Sequence, residues 1–168
     1  SGALYVRAGL ELNPLIRGGG QEQGLRSGTE NVASCVGFGR ALDIAQFMRV
    51  EEAQRVSELR DEFIKMLENN FPNAKINGSL KKRLPNNISV TFPGVDNERL
   101  MMQLDEAGVM CAVGSACSAS NDEPSHVLKA IGLTDEQARS TLRFTLGRQT
   151  TQDDLNKVID LLKEVLNG

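Results

Sequence analysis

From Arg40 to Asn69 the chain carries neither proline nor glycine, and its apolar residues recur at intervals near three and four. Val32, Cys35, Val36, Leu42 and Ala45 open the pattern, and Val56, Leu59, Phe63, Met66 and Leu67 resume it. That spacing lays one apolar stripe along a 3.6-residue period, and nothing in the run breaks the main-chain ladder. It predicts one long helix over residues 31–69, or two helices with a bend near residues 49–52. A helix advances about 1.5 Å per residue. An element this long outreaches one small core and reads as a bridge between domains.

The flanking segments follow another grammar. Residues 3–7 form a short apolar strand candidate. The stretch 12–29 holds Pro14 and five glycines, too many for a regular element, and reads as a loop with defined turns. After Pro72 short strands and helices alternate. Residues 74–77 and 87–92 are strand candidates, the second alternating as a half-buried strand does. Asp96 is placed to cap a helix through Leu100, Met101, Leu104 and Ala107, with Gly108 at its C′ position. Residues 109–113 read as a strand, and Pro124 sits in the first turn of a helix containing Val127, Leu128 and Ile131, closed by Gly132. Thr134 and Gln137 have capping-box spacing. In residues 141–146, Leu142, Phe144 and Leu146 take one face and Thr141, Arg143 and Thr145 the other. Leu155, Val158, Ile159, Leu162, Val165 and Leu166 make the stripe of a last helix, with Thr151 at its N-cap. The expected fold class is α/β: an α+β domain in which a small helix-flanked sheet follows the long helix.

At 168 residues the chain can bury one full core, and two would be crowded. A net charge of −3 offers no basic excess to attract nucleic acid or an anionic membrane. No apolar run approaches the roughly 20 residues of a membrane span, and no signal-peptide pattern opens the chain. Three cysteines without a CxxC pair argue against a disulfide scaffold and for a reducing, cytoplasmic setting. The start, Ser1-Gly2-Ala3-Leu4-Tyr5-Val6, lacks an initiator Met and reads like the middle of a sheet protein. The chain is expected to be a fragment, with Ser1 a candidate tag residue.

Three places can carry chemistry. In Gly18-Gly19-Gly20-Gln21-Glu22-Gln23-Gly24-Leu25-Arg26-Ser27-Gly28-Thr29 the glycines allow main-chain N–H groups to approach an anion, and Thr29 brings a hydroxyl to a helix N-terminus. The competing reading is a turn-rich connector with Ser27 and Glu30 as a capping box. In Val113-Gly114-Ser115-Ala116-Cys117-Ser118-Ala119-Ser120-Asn121-Asp122 the small neighbours leave Cys117 exposed, and a thiolate is the working nucleophile. An incidental cysteine in a capping loop and a disulfide to Cys111 are the alternatives. Cys35 and Cys111 lie inside apolar patterns and read as buried small hydrophobes. Arg143 on the polar face of its strand can grip a carboxylate with two parallel hydrogen bonds, although isolated strand arginines are commonly solvated, and Arg148 qualifies equally on composition. No metal site is expected. The one histidine, His126, reads as a cap or surface residue, and a site from Cys35, Cys111, Cys117 and His126 would need four distant pieces.

Together these segments resemble the class V, fold-type I pyridoxal-phosphate (PLP) enzymes, and within them the cysteine desulfurases. Gly2-Ala3-Leu4-Tyr5-Val6-Arg7 looks like the strand after the cofactor lysine. Gly18-Gly19-Gly20-Gln21-Glu22 and Arg26-Ser27-Gly28-Thr29-Glu30-Asn31 are similar to the loop before the interdomain helix. Gly114-Ser115-Ala116-Cys117-Ser118 looks like the active-site cysteine motif, and the run from Ser140-Thr141-Leu142-Arg143-Phe144 to Thr151 resembles the last strand and turn. The likeness implies the C-terminal half of such an enzyme. Residues 1–30 would be a remnant of the large PLP domain, 31–69 the interdomain helix, and 70–168 the small domain with the cysteine loop.

The resemblance also implies roles. Thr29 would bind the PLP phosphate of the neighbouring subunit, Arg143 the carboxylate of L-cysteine, and Cys117 would take the sulfur as a persulfide, leaving L-alanine. The full-length protein would be a homodimer that passes sulfur to an acceptor or iron–sulfur scaffold protein for cluster, thio-cofactor or tRNA synthesis. The Schiff-base lysine, the ring-stacking aromatic, the Asp partner of the ring nitrogen and the catalytic His belong to the other half. None of Lys65, Lys75, Lys81, Lys82, Lys129, Lys157 and Lys163 lies in a matching motif, so this chain alone is expected neither to hold PLP tightly nor to turn over. Ser89 stands where the family's strand carries Asn. The alternatives are a non-catalytic sulfur-carrier or scaffold-binding module and a related class V enzyme such as a selenocysteine lyase.

Overall fold

The computed structural model describes residues 1–114 and 124–167. The chain falls into two compact units, Ser1–Val50 and Glu51–Gly168. In the first, residues 3–7 are not a strand: Leu4 and Tyr5 are exposed, and no described strand pairs with them. An extended segment with no neighbour has nothing to receive its N–H and C=O groups, whatever its side-chain preference.

The glycine-rich loop ties itself together around a 3₁₀ turn at Glu22–Gly24. Ser27 is buried; its amide donates to the Ile16 carbonyl at 3.2 Å, and its Oγ accepts from the Gly20 amide at 3.3 Å. Gln21 Oε1 accepts from the Gly28 amide at 3.0 Å. The following helix, α1, runs Val32–Asn70 without interruption. Its cap is Asn31, whose Oδ1 accepts from the Ser34 amide at 3.1 Å. Ser27 therefore serves the loop rather than the helix, and the Ser27–Glu30 capping box does not form.

The apolar stripe of α1 has two different fates. Within Glu51–Gly168, Val56, Phe63, Ile64 and Leu67 are buried. Within Ser1–Val50, Val32, Val36 and Leu42 are exposed, and so is Cys35, contrary to the expectation of a buried thiol. Periodicity identifies an apolar face, but burial needs something packed against it.

The second unit is built on a four-stranded antiparallel sheet in the order β1-β2-β4-β3, with β1 at Lys75–Ile76, β2 at Asn87–Thr91, β3 at Ala112–Val113 and β4 at Thr141–Thr145. Because side chains alternate, Ile88, Val90, Leu142 and Phe144 share one face and are buried. They join a single core with α1, with α2 (Asn97–Glu106) through Leu100 and Leu104, and with α5 (Gln152–Asn167) through Leu155, Ile159 and Leu162. Phe63 meets Phe144 edge to face, ring centres 5.4 Å apart, and Phe71 meets Phe92 at 5.7 Å.

Local signals set the helix ends. Asp96 accepts from the amides of Glu98 and Arg99, and Gly108 takes a positive φ after α2. Among the described residues, two short helices, α3 (His126–Ala130) and α4 (Asp135–Arg139), lie between β3 and β4. Thr134 and Gln137 complete a reciprocal capping box on α4. Ser125 is the N-cap residue of α3, so Pro124 precedes that helix instead of entering its first turn. Thr151 and Asp154 bond reciprocally at the start of α5.

Arg55 locks the β4–α5 turn to α1. Its guanidinium pairs with Glu52 and donates to the carbonyls of Gly147, Arg148 and Thr150 at 3.0–3.1 Å. Gly114 meets the start of α3, where a Cβ would lie 2.9 Å from Ser125 Cβ and 3.0 Å from Leu128 Cδ1. Phe63→Ala should lower the stability of Glu51–Gly168 by about 3–5 kcal/mol, read from its urea midpoint. Gly114→Val should cost about 1–3 kcal/mol by overpacking, with the amide shifts concentrated at residues 125–128.

Candidate active site

The side of the sheet away from the core is polar. Arg143, exposed at the centre of β4, lies directly across from Ser89 on β2 and from Ala112 on β3. It lines a recess of about 330 Å³ together with Ser89, Asn87, Lys82, Arg83 and Gly114, with Leu128 and Ile131 as apolar lining. No Asp or Glu lines this recess among the described residues. Arg83 donates to the carbonyls of Asn77, Ser79 and Asn87, the last two at 3.3 and 3.2 Å, which knits the β1–β2 connection. Burial lowers its pKa from the ordinary guanidinium value, and the nearby Arg60 charge lowers it further. Among the described residues the recess lining is therefore positive, with cations from two segments and no carboxylate to neutralise them, which favours an anion.

A chain of buried polar groups underlies the recess. Asn77 Nδ2 lies 3.2 Å from Ser89 Oγ and 2.9 Å from Thr91 Oγ1. Thr91 Oγ1 is 2.7 Å from Thr141 Oγ1, which donates to the Gln137 carbonyl at 2.7 Å. Asn97 Nδ2, at the start of α2, donates to the carbonyls of Thr141 and Ala138 at 2.9 and 3.2 Å. A larger recess of about 560 Å³ opens beyond this chain toward β1, lined by Lys75, Glu136 and Gln137 among others, but Arg143 is not part of it.

Of the residues singled out in the sequence, Cys117 lies outside the described residues. Gly114, three positions before it, lines the Arg143 recess. Arg148 does not: its carbonyl is held by Arg55, and its charge helps lower the Glu52 pKa, behind the larger effect of the Arg55 hydrogen bond. His126 is exposed at the first position of α3. Cys111 is half-buried and free, and desolvation, with a smaller contribution from Asp105, pushes its pKa up to about 11. Its packing therefore disfavours the thiolate, the nucleophilic form.

Thr29 is exposed two residues before the Asn31 cap. The amides of Gly20 and Gly28 are committed to Ser27 and Gln21, so they are not the donors for an anion. A hydroxyl beside the positive end of α1 still suits an anion. Thr29 and Arg143 belong to different units. Lys82, Arg83 and the Asn77–Thr91–Thr141 chain carry no sequence signal as site residues. A Lys-Lys-Arg run between strands reads as solvated charge, and a threonine on a polar strand face gives no hint of its partner.

Comparison with known proteins agrees with this architecture. The aminotransferase class-V family profile matches residues 2–158. Cysteine desulfurase IscS of Dictyoglomus turgidum is 46% identical over 165 residues, 98% of this chain and 42% of that protein. Cysteine desulfurase IscS 1 of Archaeoglobus fulgidus is also 46% identical over 165 residues, 98% of this chain and 43% of that protein. Among solved structures, a NifS-like protein superposes with a TM-score of 0.84 at 34% identity, over 97% of this chain and 41% of its own. A NifS-like protein from Rickettsia africae gives 0.81 at 30% identity, over 95% and 41%. The chain thus spans about two fifths of the length of these relatives. With a helix-flanked antiparallel sheet, a basic recess on its polar face and a family match across nearly its whole length, the chain belongs to the aminotransferase class-V family.

Proposed function

We propose that the chain is the C-terminal half of a PLP-dependent cysteine desulfurase, which converts L-cysteine to L-alanine and carries the sulfur as a persulfide on Cys117. Residues 1–30 then belong to the large domain, 31–69 to the interdomain helix and 70–168 to the small domain. The observation that carries the reading is the shared recess: Arg143 and Gly114 line one cavity of about 330 Å³. Cys117 is three peptide links from Gly114, and at 3.80 Å per link its Cα is limited to about 11 Å from that of Gly114. That length of chain lets the thiol reach the recess that Arg143 lines.

In this reading Arg143 grips the carboxylate of L-cysteine with two parallel hydrogen bonds, and Lys82 and Arg83 keep the recess positive. Cys117, as a thiolate, attacks the sulfur of the substrate; the new S–S bond forms as the C–S bond breaks, the C–S electron pair stays with the substrate's β-carbon, which takes up a proton to become the methyl group of L-alanine, and the persulfide is then available to an acceptor such as an iron–sulfur scaffold protein. Thr29 holds the PLP phosphate in the neighbouring subunit of a homodimer. Bound PLP supplies an electron sink at the amino acid's carbon skeleton. Its lysine lies in the other half, so this half alone does not turn over. The setting is a reducing one, the cytoplasm, where the Cys117 thiol is kept reduced for the next turnover; among the described residues no helix is long and apolar enough to cross a membrane.

In the full-length protein, Cys117→Ala should abolish persulfide formation while the PLP absorption band persists. Arg143→Ala should raise KM for L-cysteine by about tenfold or more, the loss of a charge-assisted pair. Retained desulfurase turnover in Cys117→Ala contradicts the proposal.

The two described cysteines supply a control. The Cys111 thiol has its pKa raised from 9.0 to about 11. Its neutral form is favoured in the fold, so the stability this contributes is fully present below pH 9.0 and is lost as pH rises through about 11. Iodoacetamide at pH 8 should modify the exposed Cys35 well before Cys111, with Cys111 labelling accelerating toward pH 11. Peptide mapping by mass spectrometry reads this order.

A further inference from the structure

The buried polar chain beside Arg143 can be solved for its protons, because one end is a group that can only accept. Thr141 Oγ1 lies 2.7 Å from the Gln137 carbonyl and must give it its proton. The 2.7 Å contact between Thr91 and Thr141 then needs the proton of Thr91. With that proton spent, Thr91 Oγ1 is an acceptor, and the Asn77 atom 2.9 Å from it is the amide nitrogen. The alternative, in which Thr91 donates to Asn77 Oδ1 at 3.1 Å, leaves the shorter Thr91–Thr141 contact without a proton. The second proton of Asn77 Nδ2 goes to Ser89 Oγ at 3.2 Å. With Asn77 Nδ2 as that donor, Ser89 is an acceptor on its buried side and its own O–H proton is left for the recess.

Ser89 lines the Arg143 recess and sits directly across the β2–β4 ladder from Arg143. Paired side chains on one face of an antiparallel ladder stand about 4.5–5.5 Å apart at Cβ, close enough for a hydroxyl and a guanidinium to share one carboxylate. We propose that Ser89 is a ligand-binding residue: its hydroxyl, oriented by the Gln137–Thr141–Thr91–Asn77 chain, donates to the same carboxylate that Arg143 grips. The identity of that carboxylate as an amino acid's rests on the desulfurase reading; the pairing of Ser89 with Arg143 does not. The chain fixes the hydroxyl as a donor before the ligand arrives, so the contact needs no reorganisation on binding.

The test separates the two ideas. In the 168-residue chain, acetate is titrated while the Arg143 Nε–H resonance is followed by ¹⁵N NMR. Wild type should shift saturably, Ser89→Ala should bind about tenfold more weakly, the loss of one hydrogen bond to a charged group, and Ser89→Thr, which keeps the hydroxyl, should return within about twofold. In the full-length protein Ser89→Ala should raise KM for L-cysteine by a similar factor with kcat nearly unchanged. No saturable shift in wild type, equal affinity in Ser89→Ala, or Ser89→Thr as weak as Ser89→Ala overturns the assignment. If the acetate series holds and the full-length wild type does not consume L-cysteine, the desulfurase reading fails and the Ser89 assignment stands.

Discussion

The pairing of β2 with β4 carries the rest of the structure, because its register decides which side of each strand meets the core. Ile88 opposite Phe144 and Val90 opposite Leu142 form the floor on which α1, α2 and α5 pack. The same register places Ser89 opposite Arg143 and Thr91 opposite Thr141 on the reverse side. A slip of one residue would bury the guanidinium and expose Leu142 and Phe144, so the hydrophobic floor and the anion recess cannot be altered independently. Site geometry is thereby protected by the core's own free energy.

Polar side chains do the joining where the apolar floor ends. Arg55 gathers three carbonyls of the β4–α5 turn, Arg83 gathers three of the β1–β2 connection, and Asn97 ties α2 to the end of α4 and the start of β4. In each case a multi-donor side chain satisfies main-chain acceptors that no ladder reaches, which is how irregular segments avoid the penalty of unpaired buried groups. The β1–β2 connection, which borders the recess, is thus held by directional bonds. Gly114 plays the complementary role, letting β3 approach α3 closely where no side chain would fit.

Much of this was legible from local pattern. The long helix, the Asp96 cap, the Thr134–Gln137 capping box, the two-faced 141–146 strand and the last amphipathic helix all depend on residues within a turn or two of each other. The misreadings share a cause. Residues 3–7 have strand-like side chains but no pairing strand, Cys35 lies on an apolar stripe that nothing in its unit covers, and Ser27 has the spacing of a cap while its hydroxyl serves the Gly20 amide. Each error took a local preference for a tertiary outcome.

The sequence by itself determined the alternation that puts Arg143 on the polar face of its strand, the small-residue setting of Cys117, and the helix start beside Thr29. These follow from residue period, side-chain size and capping chemistry, which act over a few positions. Tertiary structure alone decided that Ser89 faces Arg143, that Lys82 and Arg83 border the same recess, that Arg148 stays out of its lining, and that the Asn77–Thr91–Thr141 chain ends on the Gln137 carbonyl. Strand pairing brings together residues more than fifty positions apart, and hydrogen-bond direction is set only when every donor has met its acceptor; no local pattern encodes either.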